Sequence, residues 1–141
     1  MTSPQTIART ATRFPWPHRL VAGVVTLVAG RLAALPPARL RAVLQVVRRG
    51  ARPADHATAL RCRTLVTSVS LKAAGPQGCL RRSVATVLVA RLAGQWPEWC
   101  AGVRVSPPFA AHAWVRAEGR DVGEPHPEGY YRAMVSVPVF R

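Results

Sequence analysis

Residues 78–94 read GCLRRSVATVLVARLAG, and AAHAWVRA follows at residues 110–117. In the first stretch the apolar residues recur at helical spacing, on a face formed by Leu80, Val84, Val87, Leu88 and Leu92. In the second, His112 and Trp114 alternate with small or apolar residues, which is typical of a strand. The hydrophobic period therefore changes from about 3.6 residues to about 2 after Pro97, which predicts helices first and strands after them.

Three further helices are predicted upstream of residue 78. The first begins near His18 and ends before Pro36, and the second begins at Pro36 and Pro37, which suit a first helical turn. The third is capped by Asp55. Its apolar stripe is formed by Cys62, Leu65, Val66 and Val69. Cys62 is therefore predicted to be a core residue.

The order of these elements predicts an α+β fold in which N-terminal helices pack on a small antiparallel sheet. The remaining strands are indicated by alternating valines, at Val103 and Val105 and at Val135, Val137 and Val139. We expect a loose N-terminal arm over residues 1–17 and a single domain over residues 18–141. Within that domain, residues 18–74 form a basic helical part, and residues 75–141 hold the cysteine-bearing helix and the antiparallel strands.

The positive charge is concentrated in the helical part of the chain. Residues 1–97 carry 15 basic side chains and one acidic side chain, Asp55, whereas residues 98–141 carry five of each. A basic half favours an anionic partner such as nucleic acid, an anionic membrane or an acidic peptide, although GC-rich coding also enriches arginine. A nucleic-acid-binding module is therefore an alternative function, but no recognised motif or series of stacking aromatic residues accompanies the charge.

The longest apolar run extends from Leu20 to Gly30, about half of the roughly 20 residues needed to cross a bilayer. It predicts a helix that is buried in the core or lies at a membrane interface, and core packing is the favoured interpretation. The three cysteines, Cys62, Cys79 and Cys100, are too few for a disulfide scaffold and indicate a reducing compartment. We therefore expect a cytoplasmic protein whose basic helices could contact a membrane surface.

Cys79 is the candidate nucleophile. It follows Gly78 and opens a helix, where the helix dipole and the unpaired backbone amides favour thiolate over thiol. Arg81 and Arg82 add positive charge nearby, and the same amides could bind an oxyanion. The alternative is that the Cys79 side chain only fills space.

A thiolate nucleophile needs a base, which is usually histidine. His112 is the candidate, because its strand aims the ring at a defined face beside Trp114. The other histidines lie at helix starts or in a loop, at positions His18, His56 and His126. A zinc site formed by Cys79, Cys100 and His112 is a further alternative, but the spacing lacks a paired C-x-x-C element.

The group that would orient the imidazole is predicted from the register of the next hairpin. A three-residue loop over residues 118–120 would pair Trp114 with Glu124 and place Glu124 on the face of the imidazole. Asp121 would then point to the opposite face. In a two-residue loop Asp121 would lie opposite Arg116, about 14 Å along the strand from the imidazole. Glu124 is therefore predicted to orient the base, and Asp121 to form a salt bridge with Arg116.

These motifs resemble the lasso-peptide biosynthesis B2 proteins, a family of leader peptidases. The resemblance lies in four segments, Cys79–Ser83, Gly102–Val103, Pro108–Val115 and Val122–Pro125. It covers roughly residues 55–141 in detail and the upstream helices in general character. It implies a transglutaminase-like, papain-related cysteine protease core in which Cys79 is the nucleophile, His112 is the general base and then acid, and Glu124 is the third member.

The resemblance also implies what such an enzyme would do. It implies cleavage of the leader from a lasso-peptide precursor through a thioester, with no metal or organic cofactor. A separate leader-binding protein would present the precursor, and an ATP-dependent macrolactam cyclase would act afterwards. Family leaders carry threonine at the penultimate position, which implies a pocket for a small β-branched side chain. The same three residues could instead transfer the acyl group to an amine, as a transglutaminase does, so this alternative stays open.

Overall fold

The computed structural model describes residues 14–140, which form the predicted α+β arrangement of helices followed by a small antiparallel sheet. The helices are α1 (Trp16–Ala33), α2 (Pro37–Val47), α3 (His56–Val69), α4 (Leu71–Ala74) and α5 (Cys79–Leu92). The strands are β1 (Arg52–Pro53), β2 (Gln95–Trp96), β3 (Glu98–Arg104), β4 (Ala111–Ala117), β5 (Arg120–Asp121) and β6 (Tyr131–Val137). Of the predicted N-terminal arm, residues 1–13 lie outside the described residues, and Trp16 and Pro17 already belong to α1.

Prolines lie in the first turns of α1 and α2, and a carboxylate caps α3. The sequence predicts Pro37 and Asp55 at these positions, whereas it places Pro17 in the N-terminal arm. Pro17 lies in the first turn of α1 and Pro37 begins α2, where a missing N–H group costs no hydrogen bond. Asp55 precedes α3, and its Oδ1 accepts a hydrogen bond of 2.7 Å from the Thr58 N–H. The single turn α4 was not predicted.

The main sheet has four antiparallel strands in the order β5-β4-β3-β6. β3 is internal: Gly102 lies opposite His112 of β4 on one side and opposite Ala133 of β6 on the other. A separate parallel pair joins β1 to β2, which the alternation of residues did not predict. The pairing of β4 with β3 holds the backbone of His112 in place, because both strands are hydrogen-bonded at this level.

The hairpin that joins β4 to β5 differs from the predicted one. Its loop has two residues, Glu118 and Gly119, and the three-residue loop over residues 118–120 is wrong. The paired positions are Ala117 with Arg120 and Arg116 with Asp121. Both loop residues have positive φ, 53° and 74°, as a type I′ turn requires. Two-residue loops of this type are common in hairpins because their twist matches that of the paired strands.

The predicted pairing of Trp114 with Glu124 does not form, because the ladder ends with β5. The Val122 N–H still donates a hydrogen bond of 2.9 Å to β4, and the chain then turns at Gly123, where φ is 68°. This turn, and not the strand register, brings Glu124 to His112.

The core is built around α5, which packs against α1, α3 and β4. Residues 82–87 of this helix are all buried. Of its predicted apolar face, Val84 and Val87 are buried, whereas Leu92 is exposed at the end of the helix. The cysteine-bearing helix is therefore enclosed on most of its surface, which fixes the position of its first turn against the sheet.

The helix α1 packs on α5 and α3 through small side chains. Ala22, Thr26 and Ala29 are buried, while most of the larger apolar side chains of α1 face solvent. The expectation that this helix belongs to the core therefore holds only for its inner face. No helix within residues 14–140 is long and apolar enough to span a bilayer.

Candidate active site

Cys79 is the first residue of α5, and Gly78 precedes it as the N-cap. Burial raises the pKa of the Cys79 thiol. Two hydrogen bonds, from His112 and from the Ala113 N–H, and the nearby positive charges of His112 and Arg82 lower it. Together they outweigh burial, so the pKa of Cys79 lies below the ordinary value of a thiol. The sulfur is thus placed where its anionic form is stabilised.

His112 lies between this sulfur and a carboxylate. Its Nε2 atom is 3.0 Å from Oε2 of Glu124, which leaves Nδ1 for the thiol of Cys79. Burial lowers the pKa of His112, but the hydrogen bonds to Cys79 and Glu124 and their negative charges raise it to about 9. The imidazolium form is therefore stabilised beside the thiolate form of Cys79.

Two aromatic rings cover the imidazole of His112. The ring of Tyr131 is stacked on it at a centroid distance of 4.3 Å, and the Trp114 indole is stacked at 5.8 Å. The prediction from the sequence included Trp114 but missed Tyr131, because Tyr131 begins β6, which lies two strands away from β4 in the sheet. The rings restrict the access of water to the His112–Glu124 pair and hold the imidazole in one plane.

Glu124 reaches His112 through the turn at Gly123. The positive φ of Gly123 is a left-handed conformation that favours glycine. A Cβ atom at this position would also lie 2.8 Å from the side chain of Arg63. The turn therefore depends on glycine for two reasons: its backbone conformation and the close approach of Arg63.

Two buried arginines place positive charge near Glu124. Burial lowers the pKa of Arg63 to about 10, with a further lowering by Arg82, and the charge of Glu124 opposes both effects. Burial also lowers the pKa of Arg82, against the opposing charges of Glu124 and Cys79. The Nη1 group of Arg82 donates a hydrogen bond of 2.9 Å to Ala73 O, whereas Nη2 of Arg63 has no hydrogen-bond partner within residues 14–140.

The positive charge predicted near the thiol is only partly where the sequence suggested. Arg82 contributes to lowering the pKa of Cys79. Arg81 instead lies against α1, with its guanidinium next to Gly30. The sequence did not identify Arg63, which follows Cys62 at the edge of the apolar stripe of α3 and is buried.

Asp121 does not contact His112. Its Oδ1 is 3.3 Å from Nη1 of Arg116, which confirms the predicted salt bridge, and it accepts a hydrogen bond of 3.1 Å from the Trp114 indole. Burial raises the pKa of Asp121, as does the nearby charge of Glu128. Asp121 thus contacts the ring of Trp114 and interacts with Glu124 through charge, but it does not orient the imidazole.

The other two cysteines lie in environments that disfavour ionisation. Cys62 on α3 is buried, which confirms its prediction as a core residue, and burial raises its pKa to about 11. Cys100 on β3 is also buried, and burial and the charge of Glu98 raise its pKa to about 12. Across residues 14–140, no group of three or more His, Cys, Asp or Glu side chains is arranged to hold a metal ion. Cys79, Cys100 and His112 therefore do not form the zinc site considered above.

The remaining histidines lie apart from this cluster. The backbone N–H of His56 donates to Glu118 at 2.9 Å and its ring contacts Asp121 O at 3.0 Å, so it joins the start of α3 to the hairpin. His18 is exposed on α1. His126 stacks on Tyr130 at a centroid distance of 3.9 Å.

The geometry therefore brings together all three residues singled out in the sequence. A thiol stabilised as the anion at a helix start, an imidazole stabilised as the cation, and a buried carboxylate on the far ring nitrogen form one hydrogen-bonded series. Such a series can supply a nucleophile and a proton donor to a carbonyl group, and the first amides of α5 lie beside the sulfur to bind an oxyanion.

Comparison with protein families places the chain in a known group. The model of the transglutaminase-like superfamily matches residues 21–136 of the 141-residue chain. This superfamily generally consists of enzymes, among them cysteine proteases and transglutaminases. Neither the curated proteins nor the solved structures contain a match. The narrower resemblance to the lasso-peptide B2 proteins stays a prediction.

Proposed function

We propose that this chain, which belongs to the transglutaminase-like superfamily, is a cysteine peptidase that removes the leader from a lasso-peptide precursor. The observation that carries the proposal is the series Cys79–His112–Glu124, in which the ionised forms of both the thiol and the imidazole are stabilised. The precursor as substrate rests on the resemblance of the motifs around these residues.

The chemistry follows from the positions of the three groups. The Cys79 sulfur attacks the carbonyl carbon at the end of the leader, and the oxyanion that forms accepts hydrogen bonds from the amides at the start of α5. His112 donates its proton to the nitrogen of the scissile bond, so the C–N bond breaks and a free amine leaves. The leader remains attached to the sulfur as a thioester.

Water completes the reaction. The now neutral His112 accepts a proton from the water that attacks the thioester carbonyl, the C–S bond breaks, and the leader departs as a carboxylic acid. Glu124 stabilises the positive charge on His112 at the start of the cycle and again when the imidazole has taken the proton from water. The rings of Tyr131 and Trp114 keep bulk water from the far side of the imidazole.

We propose further that a leader-binding protein presents the precursor and that the freed amine is then used by an ATP-dependent macrolactam cyclase. A pocket for a small β-branched side chain next to the sulfur would accept the penultimate threonine of the leader. These partners rest on the same resemblance, which includes the cysteine-leucine-x-arginine-serine start of α5 and the histidine-alanine-tryptophan-valine strand.

The experiment is incubation of the purified chain with a lasso precursor and its leader-binding protein, followed by mass spectrometry. We expect a free leader acid and a core peptide with a free amine. Cys79→Ala should reduce cleavage on the order of 10³-fold or more, because no other described thiol is stabilised as an anion. Cys100→Ala is the matched control and should retain cleavage.

The same experiment separates hydrolysis from acyl transfer. With a primary amine added to the reaction, an amide adduct of the leader in place of the free acid would show that the enzyme is an acyltransferase. Cleavage that survives Cys79→Ala would overturn the proposal, whichever product is formed.

A further inference from the structure

The first helix presents its larger apolar side chains away from the protein. On its inner face Ala22, Thr26 and Ala29 are buried against α5 and α3. On its outer face the large apolar residues are exposed, with exposed fractions of 75% for Trp16, 61% for Leu20, 54% for Val24, 68% for Leu27 and 48% for Val28. A helix on the surface of a water-soluble domain usually has the opposite pattern. This outer face of α1 is therefore built to contact something apolar.

Cations surround the outer face of α1. A groove of about 730 Å³ runs along the helix, and its walls carry Arg19, Lys72 and Arg81. Arg31 lies in the last turn of α1. No acidic side chain lines the groove, and the single acid among residues 1–97, Asp55, caps α3. The face is therefore apolar with a positive rim.

We infer that the outer face of α1 lies on an anionic lipid surface. The apolar side chains would enter the boundary between head groups and acyl chains, and the arginines and the lysine would contact lipid phosphates. The helix of 18 residues extends about 27 Å, which is enough to lie along the surface. An indole at one end of an apolar face, with arginines toward both ends, is the composition that interfacial helices use.

The charge of this face argues against the alternative that it binds a second copy of the chain. A two-fold dimer would place the same surface of each copy together. Arg19, Arg31, Lys72 and Arg81 would then face the same cations of the other copy, with no acid on either side of the groove to pair with them. Like charges at an interface cost several kcal/mol. A lipid surface supplies the negative charge that a second copy lacks.

The test is binding of the full chain to vesicles, measured by co-sedimentation. We expect binding to vesicles of phosphatidylcholine and phosphatidylglycerol in equal parts, and weaker binding to phosphatidylcholine alone. The double variant Leu20→Gln with Leu27→Gln should weaken binding to the mixed vesicles about tenfold or more, because both side chains lose apolar contact. Val46→Gln is the matched control, since Val46 is 58% exposed on α2 and lines neither side of the groove.

Tryptophan fluorescence gives a second measurement that locates the contact. Trp96, Trp99 and Trp114 are buried, so a blue shift on addition of mixed vesicles should come from Trp16. Trp16→Phe should remove the shift. Cys79→Ala should bind and shift as the unaltered chain does, because the inference does not depend on the proposed peptidase activity.

Three results would overturn the inference. Absence of binding to both kinds of vesicle would leave an acidic protein as the partner to seek. Equal binding by the double variant and the unaltered chain would mean that the net charge alone attracts the protein to lipid. An oligomer that the double variant dissolves, without vesicle binding, would assign the face to contacts between copies of the chain.

Discussion

The carboxylate of Glu124 and the imidazole of His112 meet at 3.0 Å, with only 5% and 9% of their side chains exposed. This contact engages Nε2, so the other ring nitrogen serves Cys79. The hydrogen bond to Cys79 and the contact with Glu124 together outweigh burial and raise the pKa of His112 to about 9, so His112 keeps a proton at a pH where an ordinary histidine is neutral. The contact with Glu124 therefore orients the imidazole and shares with Cys79 in stabilising its charge.

The first prediction concerns alkylation of the thiols. Cys79 should react with iodoacetamide at neutral pH much faster than Cys62 and Cys100, because its pKa is lowered while theirs are raised to about 11 and about 12. The alkylation rate of Cys79 should fall only when the pH drops below the lowered pKa of its thiol. In His112→Ala this fall should begin at a higher pH, nearer the ordinary pKa of a thiol. Rates at each pH are read by mass spectrometry of the labelled peptides, and a rate for Cys79 that rises only near pH 9 contradicts the prediction.

The second prediction compares the two carboxylates near the strand. Glu124→Gln should reduce cleavage on the order of 10²–10⁴-fold, because the imidazolium loses its buried partner. It should also move the basic limb of the pH profile to lower pH, since the pKa of His112 falls without that negative charge. Asp121→Asn is the control and should reduce cleavage less than about tenfold, because Asp121 does not contact His112 and an amide oxygen can still accept a hydrogen bond from Trp114. The reverse ranking would assign the orienting role to Asp121.

The third prediction tests the turn that brings Glu124 to the imidazole. Gly123→Ala and Gly94→Ala should each cost about 1–2 kcal/mol of unfolding free energy, because both positions have positive φ. Only at Gly123 would the new Cβ atom also meet Arg63, since the space at Gly94 is open. We therefore expect cleavage to fall in Gly123→Ala and to be retained in Gly94→Ala. Denaturant unfolding and cleavage rates check the pair, and equal losses of cleavage would contradict this account of the turn.

The fourth prediction concerns Arg63. Its buried guanidinium interacts electrostatically with Glu124 and lies against Gly123. Arg63→Met removes this positive charge from beside the carboxylate, so we expect kcat/KM for cleavage to fall at neutral pH. Arg61→Met, at an exposed position of the same helix, should retain cleavage. An unchanged kcat/KM in Arg63→Met would mean that Arg63 only fills space beside Gly123.

Glu124 shows how far the sequence pattern could carry the prediction of the site. The three-residue loop that predicts Glu124 does not form, and Glu124 is nevertheless the residue that contacts His112. The alternation of residues correctly predicts the strand β4, but it does not predict the length of the loop that follows. That length depends on the positive φ of Glu118, which the alternation does not indicate. The resemblance of residues 122–125 to a known family identified the same residue without depending on the loop.

The amino-acid sequence alone determined that Cys79 begins a helix and that His112 lies on a strand, because capping and hydrophobic periodicity act over a few neighbouring residues. The enclosure of the site by Arg63 and Tyr131 and the outward orientation of the large apolar residues of α1 do not follow from such local patterns. These features depend on how segments far apart in the chain pack together. Periodicity reveals that a helix has an apolar face but not which neighbour covers it.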